Sequence, residues 1–140
     1  MAINVSFDSV EVGQVLPEFT RKTDFDNWNR FAAVNDEFIS VHMDDEMAKL
    51  MGQPGAIGMG NLRWTYLLNA LRDWAGDEAD IVSMTVQFRG TNLKNDVLRT
   101  KAVVSEKKTE NGRNLVVLDI DVLNQNDEAT TPGTATIALP

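Results

Sequence analysis

The stretch GQPGAIGMGNLRWTYLLNALRDWAG, residues 52–76, decides the fold. Its opening holds Gly52, Gly55, Gly58 and Gly60 together with Pro54, so no regular element runs through it. The residues after it form the longest helical pattern in the chain. Leu62, Trp64, Tyr66, Leu67, Leu68, Ala70, Leu71 and Trp74 cover most of a helix circumference, which predicts a largely buried helix. Its charges, Arg63, Arg72 and Asp73, fall near its ends, and Gly76 supplies a stop.

The chain differs on the two sides of this helix. On the N-terminal side, residues 1–20 alternate loosely around Gly13 and Pro17, which predicts a short strand and a loop. Thr23 with Asp26 resembles a capping box in which Asp replaces the usual Glu or Gln. Phe25, Trp28, Phe31 and Ala32 recur at helical spacing, so an amphipathic helix is expected over 24–34. Residues 35–43, NDEFISVHM, read as irregular. A short helix is expected over 44–51, opening on Asp44, Asp45 and Glu46, acids that suit a first turn.

On the C-terminal side the period becomes two. Residues 81–89 place Val82, Met84, Val86 and Phe88 on one face, and 97–106 read as a strand through Val97, Leu98, Val103 and Val104. Asn111-Gly112 is a hairpin signal. Residues 114–123 alternate Val116, Leu118, Ile120 and Val122 with Val117, Asp119 and Asp121. A turn at Asn124–Asp127 leads to a last strand over 129–138, whose start Pro132 makes an edge or an irregular stretch. Helices first and strands last is an α+β pattern. The expected architecture is one domain over 1–140, with four or five antiparallel strands wrapped around the long helix. Semi-apolar residues on both strand faces favour a dimer.

Composition narrows the function classes. The 140 residues carry a net charge of −8, with 21 acidic against 13 basic side chains. A sequence-independent nucleic-acid binder needs the opposite sign. The absence of cysteine removes disulfide scaffolds, thiolate metal sites and cysteine nucleophiles. The start of the chain lacks a basic segment followed by an apolar run, and no stretch reaches the ~18 apolar residues of a membrane span. A cytoplasmic protein without membrane or nucleic-acid partners is expected.

Histidine chemistry is confined to His42, the one histidine of the chain. Asp36 and Glu37 precede it in the same irregular stretch, and a carboxylate with an imidazole can share acid–base work. The alternative is a solvated acidic loop beside a histidine. Gly55, Gly58 and Gly60, just before the long helix, suit either an oxyanion site of backbone N–H groups or a tight turn packed on the helix. No Gly-Lys-Ser/Thr follows them, so no Walker motif is present, and the dinucleotide fingerprint also fails. Asp44-Asp45-Glu46 reads as a capped helix start in preference to a metal site. Trp28, Trp64 and Trp74 read as core. There is no serine nucleophile elbow.

Taken together, these residues resemble the MaoC-like dehydratases, the R-specific enoyl-CoA hydratases of the hot-dog fold. The family signature is a phenylalanine-led helix end, then Gly-Asp-x-Asn-Pro-(Ile/Val)-His, then an aspartate two residues on and an alanine soon after. The corresponding segment here is FAAVNDEFISVHMDDEMA, residues 31–48. Without gaps, His42 falls on the catalytic histidine, Asp44 and Ala48 match the residues after it, and Gly60 falls on the glycine opening the central helix. GQVLP at 13–17 and TATIALP at 134–140 match the usual opening and closing segments, so the resemblance covers nearly the whole chain.

The resemblance implies fold, chemistry and residues. A hot-dog domain is implied, with the long helix at its centre. The implied substrate is a trans-2-enoyl thioester of coenzyme A, hydrated to a (3R)-3-hydroxyacyl thioester or formed by the reverse dehydration, with no metal or other cofactor. A carboxylate and His42 would hold the water. The ungapped register makes that carboxylate Glu37, where the family has aspartate. A one-residue bulge makes it Asp36, which otherwise falls on the family's glycine. Gly60 would receive the thioester oxygen. Arg89, Lys94 and Arg63 are candidates for the coenzyme A phosphates. Ile39 and Ser40 replace the usual Asn-Pro, and Leu68 stands where related hydratases often have serine. These departures keep open a subunit that needs a different hot-dog partner, so the expected assembly is a homodimer or a hetero-oligomer. A hot-dog thioesterase is the third reading.

Overall fold

The computed structural model describes residues 4–140, so the first three residues of the stretch expected to hold a short strand and a loop lie outside the described residues. Its helices are α1 (Phe25–Asn35), α2 (Ser40–Met43), α3 (Asp45–Leu50) and α4 (Gly60–Ala75). Its strands are β1 (Thr20–Lys22), β2 (Asp80–Val86), β3 (Val97–Glu110), β4 (Arg113–Leu123) and β5 (Gly133–Leu139). All pairs are antiparallel and the sheet order is β1-β3-β4-β5-β2. The sheet packs on α4, the arrangement that the resemblance implies.

Period two builds the inner face of the sheet. Val116, Leu118, Ile120 and Val122 of β4 are buried, while Asp119 between them is exposed. Leu98, Ala102 and Val104 of β3 and Ala135, Ile137 and Leu139 of β5 complete that face. Burying each large aliphatic side chain stabilises the fold by about 1.5–3 kcal/mol. The β3–β4 turn has positive φ at both Asn111 (50°) and Gly112 (75°), the paired left-handed residues of a type I′ hairpin.

The central helix is less enclosed than its composition predicts. Its buried residues are Leu62, Arg63, Tyr66, Leu67, Ala70, Leu71 and Ala75, which recur every four residues along one face. The opposite face stays open, and Trp64 there is 37% exposed. A single curved sheet covers one side of a helix only.

Other expectations shift locally. Residues 4–19 form a 3₁₀ turn at Phe7–Ser9 and extended chain bridged at Val15 to Val103, not the expected short strand, and the first strand, the three-residue β1, begins at Thr20. The capping box lies one residue later than expected: Asp24 accepts from the Asn27 N–H, and Asn27 Oδ1 accepts from the Asp24 N–H. Thr23 is buried instead, its hydroxyl 3.1 Å from the Asp96 carbonyl. The irregular stretch 35–43 contains α2. In β2, the pairing with β5 shifts between Ile81 and Ser83. Such a bulge moves one residue across the faces, so Val82 is exposed while Ile81, Met84 and Val86 pack on the core. The last strand starts after Pro132 and lies inside the sheet, not at an edge. A Cβ on Gly133, its first residue, would stand 2.0 Å from the Thr85 carbonyl oxygen.

Candidate active site

The segment from α2 to α4 is tied down by backbone bonds. The Ile57 N–H donates to the Val41 carbonyl at 3.1 Å, and the Gly58 N–H donates to the Asn92 carbonyl at 2.8 Å. Gly58 has to be glycine, because a Cβ there would come within 2.4 Å of the Asn92 Oδ1. Asn92 is itself buried and Oδ1 has no hydrogen-bond partner among the described residues. This close packing delivers the chain to Gly60, the first residue of α4. No side chain caps that helix, so its leading N–H groups stay available to an acceptor.

His42 lies on α2, half-buried. Its Nδ1 is 2.7 Å from the Ile57 carbonyl oxygen. A carbonyl only accepts, so Nδ1 carries the proton and Nε2 of the neutral ring is left as an acceptor. Glu37 is half-buried beyond the end of α1, and its Oε2 accepts from Asn61 Nδ2 at 3.4 Å. Asn61 directly follows Gly60. The imidazole and the carboxylate are therefore tethered on either side of Gly60 in the chain, one through Ile57 and one through Asn61.

Asp36 is placed differently. It is the C-cap of α1 in the left-handed conformation, φ 52° and ψ 41°, and it is exposed. This is where a helix most readily takes glycine, the residue that the ungapped family register has at this position. Ile39 is the N-cap of α2 and makes no side-chain cap bond. An asparagine there would cap the helix and a following proline would suit its first turn, so the Ile39-Ser40 departure leaves α2 without a side-chain cap.

The acidic run behaves as a helix start. Asp44 caps α3 by accepting from the Met47 N–H at 2.8 Å. Asp45 pairs with Lys94 and accepts from the Ala56 N–H at 2.9 Å. The Lys94 hydrogen bond, followed by that N–H, holds its carboxyl below the ordinary 3.8.

The phosphate candidates separate. Arg63 is buried, its Nη1 2.6 Å from the Gly90 carbonyl oxygen and 3.4 Å from that of Thr130. Burial lowers its pKa to about 10, with the charge of Asp121 opposing the shift. Its guanidinium holds the 88–90 stretch on α4, and it is withdrawn from the phosphate candidates. Lys94 is committed to Asp45 and lies 4.5 Å from the centre of the Phe25 ring. Arg89 is exposed and bonds to Gln87.

A groove of about 570 Å³ runs from Asn61 along the open face of α4. Phe31, Trp64, Met84, Val86 and Phe88 give it apolar walls. Sequence reasoning missed Asn61, whose signal was its place directly after Gly60, and the carbonyl of Ile57, which no side-chain pattern marks.

The family described as MaoC like domain matches residues 9–126. No curated protein matches the chain. Among solved structures it is similar to the R-hydratase PhaJ1 from Pseudomonas aeruginosa in the unliganded form, with 26% identity, a TM-score of 0.87, and 98% of this chain and 86% of that one covered. It is also similar to the (R)-hydratase from A. caviae involved in PHA biosynthesis, with 20% identity, a TM-score of 0.82, and 94% and 98% covered. A third similar structure is the ChsH1-ChsH2 complex from Mycobacterium tuberculosis, with 21% identity, a TM-score of 0.81, and 93% and 98% covered. With the family matched over most of its length and the sheet-wrapped helix in place, the chain belongs to the MaoC-like family, whose general activity is hydration and dehydration.

Proposed function

We propose that this protein hydrates trans-2-enoyl-CoA to (3R)-3-hydroxyacyl-CoA, or runs the reverse dehydration. The observation that carries the proposal is the tethering of His42 to Ile57, three residues before the start of α4, and of Glu37 to Asn61, the second residue of α4. The substrate class comes from the resemblance alone, while the similar R-hydratase PhaJ1 supports the type of reaction.

In this reading one water lies between the Glu37 carboxylate and Nε2 of His42, both acceptors. Its oxygen bonds to C3 of the enoyl group while one of its protons passes to the pair. The C2=C3 π electrons shift toward the thioester, and the pair returns a proton to C2. The sum is one water added across the double bond. Negative charge grows on the thioester oxygen during this step. The Gly60 N–H and the positive end of α4 stabilise it. The reaction is addition of water with proton transfer, involves no change of oxidation state, and asks for no cofactor beyond the coenzyme A of its substrate. Arg89 is the first residue to test for a phosphate contact, and Lys94 the second. The αL conformation of Asp36 supports the ungapped register, with Glu37 as the working carboxylate. A cytoplasmic homodimer is the assembly and location proposed.

A second reading has its own observation. Phe38, next to Glu37, is 63% exposed, and Ile39 is 48% exposed. Large apolar side chains bared beside a site suit coverage by another hot-dog chain. The mass of the native assembly separates the readings: a stable, active homodimer removes the need for a different partner.

The direct test is turnover of a short-to-bulky panel of trans-2-enoyl-CoAs by the wild type, Glu37→Gln, Asp36→Asn and His42→Ala. The proposal expects 3-hydroxyacyl-CoA from the wild type, loss with His42→Ala and Glu37→Gln, and retention with Asp36→Asn. Equal activity in His42→Ala contradicts it. Loss with Asp36→Asn in place of Glu37→Gln makes Asp36 the base. Release of free thiol in place of hydration identifies a thioesterase.

A further inference from the structure

Gly60 has a neighbour that the proposed chemistry does not use. A Cβ placed on it would stand 3.0 Å from Cδ2, Cε2 and Cζ of Phe88. The ring therefore rests against the first residue of α4, on the end of the helix that would receive the thioester oxygen. Phe88 is nevertheless 49% exposed, and its other exposed surface is a wall of the apolar groove beside Trp64 and Met84.

The backbone around Phe88 is fixed. The Gln87 N–H donates to the Pro132 carbonyl at 2.9 Å, and the Arg89 N–H donates to the Thr130 carbonyl at 3.0 Å. Arg63 braces the same stretch: its Nη1 holds the Gly90 carbonyl, and its Cζ lies 5.4 Å from the centre of the Phe88 ring. A guanidinium at that distance attracts the ring face. These bonds hold the backbone on both sides of Phe88, so rotation of the half-exposed side chain is the simplest way to clear the space above Gly60.

We infer that Phe88 decides which acyl groups reach Gly60, its ring standing as a movable wall between the start of α4 and the groove. The inference rests on the reading of the chain as an enoyl-CoA hydratase. A narrow, unbranched acyl group passes along the ring with little displacement. A group that is bulky at C3, such as a phenyl ring, meets Phe88 directly and has to turn it aside.

The test compares the wild type with Phe88→Leu, Phe88→Ala and Phe88→Trp on trans-2-butenoyl-CoA and trans-cinnamoyl-CoA. The quantity read is the ratio of the two kcat/KM values. The expected result is a ratio shifted toward the cinnamoyl substrate by about tenfold in Phe88→Ala, less in Phe88→Leu, and the opposite way in Phe88→Trp. A merely structural ring would lower both substrates together in every variant. Calorimetric binding of the saturated analogues, butanoyl-CoA and 3-phenylpropanoyl-CoA, reads the same preference without turnover. A preference unchanged in all three variants overturns the inference and leaves the hydratase reading standing. An inactive wild type whose Kd ratio still shifts with residue 88 supports the wall and overturns the hydratase reading. Unfolding of Phe88→Ala in a urea titration passes the decision to Phe88→Leu and Phe88→Trp.

Discussion

The face of α4 turned to the sheet and the segment carrying Glu37 and His42 are built by different forces. The first is a continuous apolar contact in which Leu67, Leu71, Leu118 and Ile137 are each at most 1% exposed. The second is at most half-buried, and only Met43 of it packs on the core. Among residues 36–43 none is fully buried, and the two polar side chains of interest are held by one hydrogen bond each. Stability is concentrated in the first region and the candidate chemistry in the second, so a substitution can damage one without the other. Regions with few buried contacts are also those that open first.

The largest separation is expected at His42. His42→Ala should lower turnover of a trans-2-enoyl-CoA by roughly 10²–10⁴-fold, the range for loss of an acid–base group. The urea midpoint should change little, since only one hydrogen bond, about 1 kcal/mol, is removed. Loss of activity together with a large drop in the urea midpoint would show that the two regions are not separable. Leu118→Ala is the mirror case. It should destabilise the fold by about 2–5 kcal/mol by equilibrium urea unfolding, while the fraction that remains folded keeps its kcat.

A smaller effect sharpens the register at Asp36. Its left-handed backbone favours glycine, so Asp36→Gly should raise stability by roughly 1 kcal/mol and leave turnover unchanged. Lower turnover in a more stable protein would return Asp36 to the chemistry. The smallest effect is at Asp45, where Lys94, Lys49 and the Ala56 N–H face the carboxylate. Its folded pKa is held below 3.8. The stability it contributes is therefore present above that pH and lost as pH falls through the folded value. The difference in urea midpoint between wild type and Asp45→Asn should be present at pH 7 and close in the acid range. A difference that is constant with pH would remove the ionic part of the pairing.

The same contrast explains what was legible in the amino-acid sequence. Alternation in Val116–Val122 and the Asn111-Gly112 pair named the central hairpin because burial and positive φ each select residue types directly. The long helix was legible for the same reason, although its composition overstated its burial. Arg63 does fall near the start of the helix, but its burial was missed. Its spacing of four from Leu67 and eight from Leu71 already placed it on the buried stripe. The bulge in β2 was not legible, since it depends on pairing with β5. In the site, His42 and Gly60 were readable through the family register. The tether of Glu37 was not, because Asn61 lies 24 residues away and meets it only in the fold. The four-residue α2 is too short to show a period.

In the proposed reaction His42 and Glu37 act as one unit at the start of α4. A double-mutant cycle on turnover of trans-2-butenoyl-CoA tests it most directly, using wild type, His42→Ala, Glu37→Gln and the double variant. Groups that share one water lose their function together, so the account predicts a double variant no slower than the slower single one. Losses that multiply, each substitution costing the same factor with or without the other, would contradict it.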